Sequence, residues 1–128
     1  MPPTLVRLVG VYDADHTVRG ELSYWIGARL GRAHCALCDI THGLVRERDD
    51  WKRCRVSFAV PFDTFHRDDQ PEAVRRAVGN ALPAVVAETD DGMVALLDPA
   101  ALEACHGSVE ALRAAVDTAL ARSGLVAP

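Results

Sequence analysis

A chain of 128 residues, 49% apolar and 25% charged, has the size and composition of one globular domain spanning residues 1–128, and too much apolar content for a disordered segment. Its net charge of −4 lacks the basic footprint of a nucleic-acid binder. No apolar run approaches the ~18 residues needed to cross a bilayer, so neither nucleic acid nor a membrane is an expected partner.

Residues 5–12, LVRLVGVY, are nearly all apolar and β-prone, as in a strand of a parallel sheet buried on both faces. Asp13, Ala14, Asp15 and His16 end that run. From about residue 20 to 30, Leu22, Ile26 and Leu30 recur every four residues with Trp25 beside them and Gly31 as a stop, which predicts a helix. A segment rich in cysteine and histidine follows, and then RERDDWKR, a charged stretch expected to be solvated. RVSFAVPF, residues 55–62, predicts a second strand. Pro71, after Asp68, Asp69 and Gln70, opens a helix with Val74, Ala77 and Val78 facing inward. LPAVVA, residues 82–87, is a third strand, Asp90-Asp91-Gly92 a turn, and Met93 to Leu97 a fourth strand that completes a hairpin. Asp98 caps a short helix with Pro99 in its first turn, and Gly107 closes it. Ser108 caps the last helix, whose Val109, Leu112, Val116 and Leu120 form an apolar stripe. The predicted fold class is α/β, in the order β-α-(Cys/His site)-β-α-β-β-α.

That order, with Pro83 opening the third strand in NALPAVVAETDDGMVALLD and GSVEALRAAVDTAL closing the chain, resembles the thioredoxin-like fold. The resemblance implies a cis Leu82-Pro83 bond facing the active cysteines. In redox members of that superfamily the Cys-x-x-Cys sits where the first central strand turns into its helix. Here that place reads Tyr12-Asp13-Ala14-Asp15-His16, and Cys35 and Cys38 come a helix later. DADHTV, after an apolar strand, also resembles the Asp-x-Asp-x-Thr motif of haloacid-dehalogenase-type phosphatases. That likeness implies Asp13 as nucleophile, Asp15 as acid/base, a Mg²⁺ between carboxylates and Asp90-Asp91 as the distal pair. The only lysine, Lys52, is expected in a charged loop before the second strand.

The segment RAHCALCDITHG places two of the four cysteines and two of the five histidines within nine positions. If residues 35–42 are helical, Cys35, Cys38 and His42 fall within an arc of ~60°. Two thiolates and an imidazole suit Zn²⁺ or Cu(I), with His34, Cys54, Cys105 or His106 available as a fourth ligand. The same cysteines have the spacing of a thiol–disulfide pair, Cys35 as nucleophile and Cys38 as resolving thiol, with Pro83 shaping the site. A third reading is a binding or adaptor domain whose cysteines only pack. The start, MPPTLVRLVGVYDAD, has no secretory-signal pattern. The expected compartment is therefore the reducing cytoplasm, where cysteines serve as ligands, redox groups or core residues.

Of the remaining candidates, Cys105-His106 reads as a helix end and Cys54, among Lys52, Arg53 and Arg55, as a surface or strand-start thiol with a route to a lowered pKa. Glu21 and Tyr24, with Asp13 and His16, are candidates to line a pocket. His66 is expected on the surface, and Trp25 and Trp51 in the core or at its edge. The leading expectation is a metal-binding protein using His34, Cys35, Cys38 and His42.

Overall fold

The computed structural model describes residues 3–13, 36–41 and 48–126; the helix expected at 20–30 lies outside them. The described elements run β1 (Leu5–Tyr12), α1 (Ala36–Thr41), α2 (Asp49–Ser57), β2 (Phe62–His66), α3 (Glu72–Val78), β3 (Ala84–Thr89), β4 (Gly92–Leu97), α4 (Pro99–Glu103) and α5 (Val109–Ser123). The four strands form one mixed sheet in the order β2-β1-β3-β4. β1 pairs parallel with β2 and antiparallel with β3, and β3 pairs antiparallel with β4. No helix among the described residues is long and apolar enough to cross a membrane.

β1 is central, which explains its nearly all-apolar sequence: successive side chains serve opposite faces, both covered from Leu8 to Tyr12, while Val6 stays exposed and Arg7 pairs with Asp63. Leu8 and Tyr12 join a core with Leu37, Ile40, Trp51, Phe62, Leu102, Leu112 and Val116. Val9 and Val11 point the other way, onto Val74 and Val78 of α3 with Ala84 and Val86. Gly10 lies on the first of these faces. A Cβ there would meet Leu37 Cδ2 and Phe62 Cε1, each at 3.2 Å, so the missing side chain is what lets α1 lie close against the sheet.

Several local expectations hold. The Leu82-Pro83 bond is cis, and Asp90-Asp91-Gly92 turns β3 into β4. Asp98 Oδ1 accepts a hydrogen bond from the Ala101 N–H at 2.8 Å, and Ser108 Oγ accepts from that of Ala111 at 3.1 Å. Val74 and Val78 are buried while Ala77 is exposed, so α3 presents a narrower apolar face than expected.

The second strand is displaced. Arg55 to Ser57 close α2, and β2 begins only at Phe62. Alternation of Val56, Phe58, Val60 and Phe62 pointed to a strand, but the helical spacing of Trp51, Cys54 and Phe58 prevails. It leaves Val56 80% exposed and Trp51 fully buried, edge-on to Phe62 at 5.0 Å. The charged stretch expected to be solvated therefore contributes a core residue, and Lys52 lies in a helix instead of a loop. Arg48 anchors that helix: its guanidinium grips Asp50 at 3.1 and 2.8 Å and donates to the Gly107 carbonyl at 2.6 Å. The third strand likewise runs two residues later than expected, Ala84 to Thr89.

Candidate functional site

Of the four residues expected to bind metal, Cys38 is described; His34, Cys35 and His42 lie outside the described residues. Cys38 sits in α1, 5% exposed, within the larger core. The helix is packed into the core with Ile40 fully buried, and Arg48 donates its backbone N–H to the Thr41 carbonyl at 2.7 Å. Leu37 fills the space above Gly10. Thr41 Oγ1, also buried, lies 3.0 Å from the Tyr12 hydroxyl and 3.1 Å from the Leu37 carbonyl oxygen. Because a carbonyl only accepts, the Thr41 proton points to Leu37, and Tyr12 is the donor in the bond it shares with Thr41. The last residue of β1 is thus tied to the last residue of α1.

Tyr12 also marks the carboxyl ends of the two parallel strands. Its register partner is His66, with ring centroids 5.3 Å apart. His66 ends β2 with its side chain only 20% exposed, which corrects the surface-loop expectation. Asp69 Oδ1 accepts from the His66 backbone N–H at 2.6 Å, and Arg67 reaches Asp13 at 3.4 Å. Val11 pairs with Ala84, so Pro83 stands at this same end of the sheet.

The acidic residues of the phosphatase likeness do not converge. Asp13 follows Tyr12, whereas Asp90 accepts from the Thr4 backbone N–H at 2.9 Å, before the other end of β1. Eight residues of strand hold these ends roughly 25 Å apart. Asp15, like His16, Glu21, Tyr24 and Trp25, lies outside the described residues.

Cys54 and Cys105 occupy separate places. Cys54 faces a groove of about 600 Å³ between α2 and α5, lined also by Asp50, Ser57, Arg113 and Asp117. Burial pushes its thiol pKa up, against the hydrogen bond and charge of Arg113, with Asp117 and Asp50 adding to the rise. The lowered pKa that its basic neighbours in sequence pointed to is not obtained. Arg113 is instead held over the Phe58 ring at 4.1 Å and against Asp117 at 3.2 Å. Cys105 is buried, its Sγ 3.5 Å from the Ala101 carbonyl, and burial raises its pKa too. His106 is exposed, with φ +49, so the adjacent pair forms a turn and its two side chains part. Among the described residues, no three His, Cys, Asp or Glu side chains gather to hold a metal ion.

No known protein family, curated protein or solved structure matches the chain. What sequence reasoning missed is the seat of α1: Gly10, Tyr12 and Thr41. The available signal was an inward alternation of Leu8, Gly10 and Tyr12 that places a glycine between two large residues, and a threonine four residues after Leu37 on the same helix.

Proposed function

We propose that the chain is a thioredoxin-like domain carrying a transition-metal site, Zn²⁺ or Cu(I), on Cys35, Cys38 and His42, with His34 as a fourth ligand. The observation that carries this reading is that Ala36 to Thr41 form a helix containing Cys38. Continued by one residue at each end, a helix sets positions 35, 38 and 42 within ~60° of one another. Leu37, seated against Gly10, lies well outside that arc, so the ligand positions do not compete with the contact that docks the helix. The strand order β2-β1-β3-β4, with its parallel pair and its antiparallel hairpin, supports the thioredoxin-like fold. Three protein ligands leave a coordination position for water or a transfer partner, and a fourth closes the site as a structural centre. Binding needs thiolates and a neutral imidazole, so loading releases protons.

A second reading is thiol–disulfide exchange, with Cys35 attacking and Cys38 resolving. It is favoured by Pro83 standing at the Tyr12 end of the sheet and by the burial of Cys38, which suits a resolving thiol reached only from its own partner.

Elemental mass spectrometry on reduced, chelator-free protein separates the two, with wild type beside Cys35→Ala/Cys38→Ala. Near-stoichiometric zinc or copper, lost in the double variant, is the expected result. A reduced wild type that carries no metal and takes up no added Zn²⁺ overturns the metal reading. Titration of the Cys35–Cys38 pair against glutathione couples then tests the second.

A further inference from the structure

We propose that Tyr12 is a positioning residue for the Cys38 site: through Thr41 it latches α1 to the sheet and sets how often the Cys38 thiol is uncovered. The proposal rests on Cys38 being a thiol that the protein uses, and it names the control built around that thiol.

The described turns of α1, Ala36–Thr41, have little local free energy to hold them, since even an isolated helix of ~12–15 residues is marginal in water. Its persistence therefore comes from tertiary contacts. One is the apolar seat of Leu37 over Gly10. Burial of Ile40 and the Arg48 N–H donated to the Thr41 carbonyl at 2.7 Å add to it, and the relay from the Tyr12 hydroxyl to Thr41 Oγ1 and on to the Leu37 carbonyl closes the turn that carries Cys38. Tyr12 is fixed in turn, with the His66 ring packed beside it at 5.3 Å and strand pairing on both sides of β1. At 5% exposure, Cys38 meets a reagent, a metal or an oxidant only when this turn opens. One buried neutral hydrogen bond is worth roughly a two- to tenfold change in such an opening equilibrium.

The molecule holds its own reference. Cys105 is equally buried, at 4%, but sits beyond α4 and outside the relay. The test is the rate of native-state alkylation by iodoacetamide under reducing, chelator-treated conditions, resolved for Cys38 and Cys105 by fragment-ion mass spectrometry. The proteins compared are wild type, Tyr12→Phe, Thr41→Val and Thr41→Ser. In Tyr12→Phe and Thr41→Val the Cys38 rate should rise on the order of two- to tenfold, with the shallow dependence on sub-denaturing urea that marks a local opening, and the Cys105 rate should rise no further than the loss of global stability carries it. Thr41→Ser, which keeps the hydroxyl, should stay close to wild type. A Cys38 rate that climbs with sub-denaturing urea as steeply as the global unfolding equilibrium does would make Tyr12 a contributor to global stability only and would overturn the proposal. An unchanged Cys38 rate, or a wild-type Cys38 that already reacts as fast as in the urea-unfolded chain, would overturn it as well. None of these readouts needs a bound metal, so the latch stands or falls apart from the metal reading.

Discussion

The Tyr12 hydroxyl lies 3.0 Å from Thr41 Oγ1, a buried bond between residues 29 apart in sequence that joins the end of the central strand to the end of the helix bearing Cys38. A double-mutant cycle measures it. Tyr12→Phe and Thr41→Val are each expected to lower the free energy of unfolding by about 0.5–1.5 kcal/mol. The double variant should lose less than the sum of the two, because both remove the same interaction. Urea denaturation of the four proteins gives the coupling, and strict additivity would mean the two hydroxyls do not interact.

Gly10→Ala should destabilise the protein by about 1–3 kcal/mol, the usual cost of overpacking a filled core. The new methyl would meet Leu37 Cδ2 and Phe62 Cε1 at 3.2 Å, so α1 or β2 must retreat. Because Leu37 is a neighbour of Cys38 in the same helix, hydrogen exchange should quicken in α1 before it does in β4. Uniform exchange changes across the sheet would argue against a local displacement.

Trp51 is fully buried, packed edge-on against Phe62, and its Nε1 has no hydrogen-bond partner among the described residues. Trp51→Ala should cost about 3–5 kcal/mol through lost burial and the cavity left behind. Trp51→Phe should be distinctly milder, since it keeps an aromatic ring and removes a buried donor that gains nothing from the fold. Urea midpoints followed by far-ultraviolet circular dichroism rank the two. Equal losses would mean that the indole nitrogen is satisfied in solution.

Burial holds the Cys105 proton in the folded chain to a higher pH than in the unfolded chain. Below the ordinary thiol range, about 8.5, both states keep the proton and stability is unaffected by it. As pH rises through that range, the unfolded chain gives up the proton first. The folded chain then binds more protons, and stability falls. Cys105→Ala should therefore lose less stability than wild type between about pH 8 and pH 10. Parallel pH profiles for the two proteins would sink this assignment. Cys54, raised in the same direction, contributes a slope of the same sign to both.

Much of the frame was legible in the chain because it is encoded locally. Asp98 and Ser108 cap helices through bonds to backbone groups three residues on, and Asp90-Asp91-Gly92 turns a hairpin whose strands are neighbours in sequence. The nearly all-apolar run of β1 declared a strand covered on both faces, and from Leu8 to Tyr12 the structure covers it on both. The density of cysteine and histidine around Cys38 was likewise visible without any fold.

What the chain by itself left undecided depends on residues distant in sequence. Arg55 to Ser57 belong to a helix because Trp51 finds Phe62 and Phe58 finds Arg113; in isolation the same residues alternate like a strand. Cys54 reads as a surface or strand-start thiol with a route to a lowered pKa, but it stands within α2, where burial raises its pKa against Arg113. Asp13 and Asp90 resemble parts of one acidic site until β1 sets them beyond its opposite ends. The seat of α1 on Gly10 and Tyr12 is the clearest case. The turns from Ala36 to Thr41 have too little local free energy to choose their own place, so the sheet and core choose it, with one absent side chain and one hydroxyl among the contacts that do so.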